Sequence, residues 1–171
     1  MAIIVESMTD TEQAVHAALD GLGIAYTRHE HPPVFTVEEA EQHWRGIDAT
    51  HCKNLFLRNK KGTAHYLVVV ERSRPVDMKR LTAQLGEDRL SFASPERLAT
   101  HLGLTAGAVS PFGIINDRDH AVIVVLDEGL RAASRVAFHP NVNTATLALA
   151  FADFERFLAS QGNRVRYVAF V

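Results

Sequence analysis

Residues 52–70 read CKNLFLRNKKGTAHYLVVV, and they predict a β-hairpin at the centre of the fold. Two apolar runs, 53–59 and 64–70, flank the turn residues Lys60-Lys61-Gly62, which is the typical pattern of paired strands. Further along the chain, residues 121–126 (AVIVVL) form a continuous apolar run. Such a run predicts a central strand that is buried on both faces. The fold is therefore expected to be organised around a β-sheet.

Helix signals surround these strands. Thr9-x-x-Glu12 and Thr36-x-x-Glu39 are capping boxes, and Asp77 and Ser94-Pro95 are further helix starts. The helices are expected over 10–20, from 37 to about 46, from 78 to Leu85, from Pro95 onward, and over 152–161 before Gly162. Further strands are expected at 24–28 and 165–171. The pattern predicts an α+β fold in a single domain, residues 1–171, with a mixed, mostly antiparallel sheet.

Composition excludes several classes of protein. The chain has 171 residues, 47% of them hydrophobic, and a formal net charge of −2, which argues against a general binder of duplex DNA. No apolar stretch approaches the roughly 20 residues of a membrane span. The N-terminus MAIIVESMTD lacks the basic region of a secretory signal, and the single cysteine, Cys52, excludes a disulfide framework. We expect a cytoplasmic protein with no membrane partner.

The charge is unevenly distributed along the chain. Residues 1–52 contain two basic and nine acidic residues, whereas residues 53–80 contain eight basic and two acidic ones. The basic residues of the second segment are Lys53, Arg58, Lys60, Lys61, Arg72, Arg74, Lys79 and Arg80. Two interpretations stay open, namely a solvated face with local ion pairs and a basic patch that meets a polyanion.

The nine histidines do not form a recognisable metal motif. The one close pair, His29-x-His31, runs into Pro32-Pro33, and the adjacent His51 and Cys52 would point to opposite faces of a strand. P-loop, GxGxxG and GxSxG motifs are absent from the sequence, which leaves nucleotide hydrolysis, dinucleotide binding and esterase triads without support. We expect neither a metal nor a cofactor.

Three segments have a polar or Gly/Pro content that packing does not explain. Lys53 begins an apolar strand, where it either meets a partner or extends its amine into water. Residues 107–113 (GAVSPFG) form either a structural turn or a loop whose amides face a ligand. Residues 138–146 (FHPNVNTAT) carry a histidine, two asparagines and two threonines, for ligand binding or for turn capping. Trp44, in the second predicted helix, suits either the core or a substrate contact.

Taken together, five segments resemble the YbaK/ProX family of bacterial prolyl-tRNA editing domains. They are HPPVFTVEEAE (31–41), CKNLFLRNKKG (52–62), LSFASPERL (90–98), GAVSPFGIIND (107–117) and FHPNVNTATL (138–147). The resemblance is closest to the free-standing alanyl-tRNA(Pro) deacylases; the Cys-tRNA deacylase branch usually has a glycine-rich segment in place of 138–147. It implies a barrel-like sheet flanked by helices, the fold of aminoacyl-tRNA editing domains.

The resemblance also implies an activity, which is hydrolysis of the ester between a mischarged alanine and the 3′ end of tRNA(Pro), without metal or cofactor. The implied partners are the alanine-charged acceptor end and, in addition, prolyl-tRNA synthetase or an elongation factor. Two alternatives stay open: a deacylase for Cys or Ser, and a non-catalytic module of the same fold that binds tRNA or a synthetase.

The family's functional positions can be carried over to this sequence. Lys53 matches the family's strand lysine and would bind a phosphate of the terminal adenosine, supported by Asn54. His139 would shape the alanine pocket or position the water. The remaining implied substrate contacts are Gly107, Ala108, Val109, Ser110, Pro111, Gly113, Asn141, Asn143 and Thr144. The implied tRNA contacts are Arg58, Lys60, Lys61, Arg72, Arg74, Lys79 and Arg80.

Overall fold

The computed structural model describes residues 8–34 and 36–170, apart from the side chain of Val37. The N-terminal stretch 1–7 and the end of the last expected strand, Val171, lie outside the described residues. The helices are α1 (Asp10–Gly21), α2 (Val37–Trp44), α3 (Met78–Gln84), α4 (Pro95–Leu102) and α5 (Phe151–Gln161). The strands are β1 (Tyr26–Glu30), β2 (Thr50–Asn59), β3 (His65–Glu71), β4 (Leu90–Phe92), β5 (Val122–Asp127), β6 (Arg135–Phe138), β7 (Ala145–Ala150) and β8 (Val165–Val168).

Local capping decides where the first four helices begin. The side-chain oxygens of Thr9, Thr36, Asp77 and Ser94 each accept a hydrogen bond from the backbone N–H three residues later. This contact satisfies a donor that has no partner inside the helix. Gly162 ends α5 at φ 82°, a left-handed conformation that favours glycine. The helix starts expected from the sequence are therefore confirmed.

The strands form one mixed sheet in the order β1-β7-β6-β2-β3-β5-β8, and β4 pairs with β2. Among the described residues, four of the seven strand pairings are antiparallel, and β2–β6, β3–β5 and β5–β8 are parallel. The expectation of a mixed, mostly antiparallel sheet with flanking helices is confirmed. The path of these strands is open, with β1 and β8 at its two ends.

Strand β2 belongs to both halves of the sheet. Its first residues, Thr50 and His51, pair with β6, whereas Cys52 to Arg58 pair with β3. The β2–β3 pair is the expected hairpin. Side chains at the start of β2 are only partly buried, and full burial begins at Phe56. The junction between the two halves is therefore the part of the sheet where side chains remain accessible.

Apolar clusters cover both faces of the β3–β5 region. Leu67 and Val69 pack in the larger cluster, with a group of aromatic rings from α5 and the preceding segments, whereas Val68 and Val70 pack in a second cluster with α3. The aromatic rings are Phe112, Phe138, Phe154 and Phe157. Every residue of β5 except Ile123 is buried, as the apolar run predicted. Burial of each such side chain contributes about 1.5–3 kcal/mol, which fixes the sheet under the site.

A buried ion network attaches α1 to β1. Glu12, only 2% exposed, accepts hydrogen bonds from Arg28 Nε at 2.7 Å and Arg28 Nη2 at 3.1 Å, and contacts His16 Nε2 at 2.8 Å. Burial alone would raise the pKa of Glu12, but the hydrogen bonds and charges of Arg28 and His16 lower it below the usual 4.5. The network therefore stabilises the protein above about pH 4.5, and this contribution is lost as the pH falls through the lowered pKa.

Replacing Glu12 with glutamine is expected to lower the free energy of unfolding by about 2 kcal/mol, because Arg28 loses its buried anion. Thermal or urea unfolding at neutral pH measures this change. Glu30→Gln is the matched control, because Glu30 lies 3.9 Å from the same arginine but is 68% exposed. It should change the free energy of unfolding by less than about 0.5 kcal/mol. Equal effects of the two substitutions would contradict the assigned role of Glu12.

Candidate functional site

A cleft of about 770 Å³ lies beside the junction in β2. Its walls come from α2, the start of β2, the residues that follow β3, the loop after α4 and the end of β6. The lining residues are Val34, Thr36, Ala40, Glu41, Trp44, Cys52, Lys53, Asn54, Arg72, Ser73, Ala106, Gly107, Val109 and His139. The three segments singled out in the sequence thus all contribute residues to one cavity.

Lys53 brings a positive charge into this cleft. It lies opposite Val70 of β3 and is partly buried, and within the described part of the chain it has no ion-pair partner within 4.0 Å. The nearby Glu71 is held below its usual pKa despite burial, by hydrogen bonds from Ser73 and by the charges of Arg74 and Lys53. The ammonium group of Lys53 is therefore not committed to a close carboxylate.

Asn54 positions a loop. Asn54 lines the same cleft as Lys53. Its Nδ2 donates a hydrogen bond to the carbonyl oxygen of Val109 at 3.2 Å, and its Oδ1 is buried without a partner in the described structure. The contact to Val109 gives Asn54 a different role from the support of Lys53 that the resemblance implied.

The loop 107–113 is divided between the cleft and the core. Gly107 and Val109 line the cleft. Pro111 and Gly113 are buried in a short 3₁₀ helix, Pro111–Asn116, and a Cβ atom at Gly113 would lie 2.7 Å from Leu104 Cδ1. A side chain at position 113 would therefore have to displace Leu104, and its Cβ would lie 3.1 Å from Leu102 Cβ. Only the first part of the predicted loop can contact a ligand in the cleft.

Ser110 connects this loop to the histidine segment. Its side chain is fully buried, and Oγ donates to the backbone oxygen of His139 at 2.6 Å while it accepts from Phe112 N–H at 3.2 Å. The amide of the neighbouring Ala108 is used within the loop, where it donates to Thr105 O at 3.0 Å. Ser110 and Ala108 therefore shape the loop and are not among the residues that line the cleft.

His139 presents a neutral imidazole to the cleft. Its Nδ1 lies 2.9 Å from the carbonyl oxygen of Ala145, which can only accept, so Nδ1 carries the proton and Nε2 has the lone pair. Burial lowers the pKa of His139, the Ala145 contact opposes this shift, and the charge of His31 adds to it. Nε2 is therefore available as a hydrogen-bond acceptor at neutral pH.

The ring of His31 lies next to the ring of His139. Its ring centroid lies 5.9 Å from that of His139. Nδ1 of His31 donates to Pro32 O at 2.9 Å, and Nε2 forms a hydrogen bond with Thr146 Oγ1 at 3.0 Å. Both hydrogen-bonding positions of His31 are thus occupied, which fixes its ring beside His139.

The polar residues after His139 turn the chain between β6 and β7. Asn141 adopts φ 63° and is buried, and both polar atoms of its side chain lack a partner in the described structure. The backbone oxygen of Thr144 accepts from His31 N–H at 3.0 Å, and Asn143 Nδ2 lies 3.9 Å from the position of a Cβ at Gly107. These three residues brace the loops around the cleft and do not line it.

The basic residues of segment 53–80 do not converge on one patch. Arg72 lines the cleft, whereas Lys60 and Lys61 are exposed at the hairpin turn, about 23 Å along the strand from Lys53. Arg58 Nη1 contacts the carbonyl oxygens of Asn59 and Lys60 beside that turn. Lys79 and Arg80 are exposed on α3. These basic side chains are therefore spread over separate parts of the described surface.

Arg74 is the exception among these basic residues, because its side chain is committed to the fold. Its Nε lies 3.1 Å from Asp127 Oδ2, and its Nη1 donates to the backbone oxygen of Phe170 at 2.7 Å. Asp127 is 1% exposed and also accepts from Gly129 N–H. We therefore expect a structural role for Arg74, since its guanidinium neutralises a buried carboxylate, and the tRNA contact implied for it stays a prediction.

Replacing Arg74 with glutamine is expected to lower the free energy of unfolding by about 2 kcal/mol, because the charge of Asp127 loses its cation. Chemical unfolding measures the loss. The affinity of the folded variant for RNA should remain within about 2-fold of the wild type. The reason is that the Arg74 side chain pairs with Asp127 and is not expected to contact an RNA phosphate. Weaker RNA binding with unchanged stability would reverse the assignment.

Eight lining residues were not predicted as site residues: Val34, Thr36, Ala40, Glu41, Trp44, Cys52, Ser73 and Ala106. Burial raises the pKa of the Cys52 thiol strongly, so it is not a nucleophile at neutral pH. Trp44 was open between core and substrate contact, and it stacks on His51 with ring centroids 4.6 Å apart. No local sequence signal places Trp44 in the cleft, because its position depends on how α2 packs on β2.

Residues 8–34 and 36–170 contain no group of three or more His, Cys, Asp or Glu side chains placed to hold a metal ion. They also contain no helix with the length and apolar character that crossing a membrane requires.

Comparison with known proteins gives consistent matches. The family model for the aminoacyl-tRNA editing domain matches residues 31–157. The prolyl-tRNA editing protein ProX of Acetoanaerobium sticklandii is 47% identical over 163 residues, which cover 93% of this chain and 97% of that protein. The prolyl-tRNA synthetase associated domain-containing protein 1 of Danio rerio is 35% identical over 151 residues, or 87% of this chain and 82% of that protein.

A solved structure has the same fold. It was assigned provisionally as a trans-editing enzyme for prolyl-tRNA synthetase, and it superposes with a TM-score of 0.70 over 95% of this chain and 99% of that one. The two sequences are 23% identical, so this likeness concerns the fold alone.

Proposed function

Because this chain belongs to the aminoacyl-tRNA editing domain family, we propose that it is a trans-editing hydrolase that removes alanine from mischarged tRNA(Pro). The name of the 47% identical relative supports the general part of this proposal, which is editing of prolyl-tRNA. The partner is the aminoacylated acceptor end of tRNA(Pro), with prolyl-tRNA synthetase or an elongation factor as a further partner.

The observation that carries this proposal is the pairing of Lys53 with a neutral His139 in one cleft. The ammonium of Lys53 suits a phosphate of the terminal adenosine, because a compact cation on a flexible stem binds phosphate as a point charge. The lone pair on His139 Nε2 suits a donor, either the attacking water or a hydroxyl group of the substrate. An aminoacyl ester at the end of a nucleotide chain presents both kinds of group.

The reaction that we propose is direct hydrolysis. Water adds to the carbonyl carbon of the ester, the C–O bond to the ribose breaks, and the water proton ends on the ribose oxygen. His139 would orient the water, and a ribose hydroxyl of the substrate would act as its base. The backbone around Gly107 and Val109, held by Asn54, would face the developing oxyanion. The products are alanine and uncharged tRNA.

Selectivity for alanine is supported by a small recess next to the cleft. It is lined by Trp44, His51, Cys52, Asn54, Ala137, Phe138, His139 and Thr146. The recess accommodates a group of about the size of one water molecule, which suits a methyl group and not the ring of proline. A site built for proline discriminates against the smaller alanine by only about 1–3 kcal/mol, so a second site that excludes proline is physically necessary.

Deacylation assays test the proposal. Purified protein is incubated with Ala-, Pro-, Ser- and Cys-tRNA(Pro), and the release of each labelled amino acid is followed. We expect alanine to be released at least about 100-fold faster than proline, since the proline ring must displace well-packed atoms of the recess. Faster release of serine or cysteine would assign a different substrate. Alanine release no faster than in buffer would leave the non-catalytic binding module as the function.

A further inference from the structure

Trp44 and Arg72 line the same cleft as Lys53, and the proposed reaction gives them no role apart from the place of Trp44 in the wall of the small recess. Trp44 is the last residue of α2 and the single tryptophan of the chain. Its ring stacks on His51 at an interplanar angle of 17°, and it packs against the small apolar cluster of Ile47, Ala137 and Ala148. The indole is therefore fixed in place while it remains partly exposed.

Arg72 is held against this ring. Its guanidinium carbon lies 4.8 Å from the centroid of Trp44, and its side chain forms an ion pair with Glu41 of α2. Its backbone N–H donates to His51 O at 3.0 Å, which fixes the residue at the end of the hairpin. The side chain of Arg72 is nevertheless 29% exposed. Trp44 and Arg72 together give a rigid aromatic and cationic surface inside an open cleft.

The distance from this surface to Lys53 matches one nucleotide. Lys53 is directly opposite Val70, and Arg72 follows two residues later on the same face of the hairpin. Diagonal neighbours of this kind lie about 7–8 Å apart, with their Cβ atoms somewhat closer. A base and its own 5′ phosphate are separated by a similar length, so a phosphate at Lys53 leaves its base within reach of Trp44 and Arg72.

On the basis of the proposed function, we infer that Trp44 and Arg72 form the stacking surface for the terminal adenine of the tRNA 3′ end. Unpaired bases are recognised by stacking on aromatic rings and on guanidinium planes, which are the two groups present here. A purely structural tryptophan would account for the contacts with His51 and the apolar cluster. It would not account for a partly exposed arginine held over the ring inside the substrate cleft.

Fluorescence tests this inference directly, because Trp44 is the one tryptophan. The probes are a short RNA hairpin with a single-stranded ACCA 3′ end and the same hairpin with an abasic 3′-terminal nucleotide. We expect the first RNA to change the Trp44 emission and the abasic RNA to bind about 10-fold more weakly with little change in emission. Equal affinities for the two RNAs, or tight binding of the intact RNA with unchanged emission, would overturn the inference.

Two variants separate stacking from a structural role. Arg72→Gln removes the guanidinium but leaves the contacts of the indole with His51 and the apolar cluster in place, whereas Trp44→Leu removes the ring. The affinity of each variant for both RNAs is measured by the fluorescence anisotropy of labelled RNA. Both variants should reduce the 10-fold preference for intact RNA to about 2-fold or less, and Trp44→Phe should retain most of it. Thermal unfolding confirms that each variant is folded. A variant that weakens both RNAs by the same factor would indicate a structural role and overturn the inference.

Alanine release by the wild type distinguishes this inference from the proposed function. A protein that hydrolyses Ala-tRNA(Pro) but binds intact and abasic RNA equally overturns the stacking surface alone. A protein that prefers the intact RNA but releases no alanine overturns the enzyme and supports the stacking surface as part of a binding module.

Discussion

Replacing Lys53 with alanine is expected to reduce kcat/KM for Ala-tRNA(Pro) by at least about 100-fold while the fold remains intact. The reason is the loss of a positive charge that has no carboxylate partner among the described residues and that we assign to a substrate phosphate. Losing one partner of a desolvated charge pair costs about 2–5 kcal/mol, which corresponds to a factor of about 30 to 5,000 and includes the expected loss. Single-turnover deacylation measures the effect.

Controls for this substitution are available in the same hairpin. Lys61→Ala removes an equal charge at the exposed turn, about 25 Å from Lys53 along the strand, and should leave kcat unchanged even if KM rises slightly. Lys53→Arg restores the charge in a different shape and should recover part of the activity. The free energy of unfolding of Lys53→Ala should stay within about 0.5 kcal/mol of the wild type. Full activity of Lys53→Ala would remove this residue from the site.

Replacing His139 with alanine is the second large effect that we expect, with a loss of about 100-fold or more in the single-turnover rate. Nε2 of His139 is the acceptor that we assign to the water or to a ribose hydroxyl, and alanine cannot replace it. Because Ser110 contacts only the backbone of His139, this connection to the loop should survive the substitution. A loss below about 3-fold would restrict His139 to a role in pocket shape.

The pH dependence gives a separate test of His139. Its pKa is lowered from 6.5 by burial, so the imidazole stays neutral as the pH falls through that value. The wild-type deacylation rate, after subtraction of the spontaneous hydrolysis of the ester, should therefore not fall at pH 6.5. It should decline only at lower pH, where His139 becomes protonated. The His139→Ala variant should lack this decline. A wild-type rate that halves at or above pH 6.5 would contradict the neutral assignment.

Local signals explain how much of the fold could be predicted. Thr36 and Ser94 cap their helices with contacts three residues away, and the β2–β3 hairpin closes over a few residues, so sequence alone locates them. Strands β6 and β7 were not predicted, because ATLALA at 145–150 contains good helix formers. Pairing with β1 and β6 makes it a strand, and this long-range contact has no local sequence signature.

The candidate site divides in the same way. Lys53 and His139 were predicted from a resemblance that covers short motifs, and the structure brings both into one cleft. Gly113 and Arg74 illustrate the limit of such motifs. Gly113 is set by the packing of Leu104, and Arg74 by Asp127, which lies at the end of another strand. Neither neighbour can be read from the residues that surround Gly113 or Arg74 in sequence.

The division of β2 between two halves of the sheet has a consequence for the order of folding. The hairpin with β3 joins residues that are close in sequence, whereas the parallel pairing with β6 joins Thr50 to Val136. Closing the longer loop costs more entropy and is the slower event. The cleft lies at this junction, so the hairpin is expected to form first and the cleft to be assembled in a late step. A nascent or partly refolded chain would then present its basic hairpin before the cleft is complete.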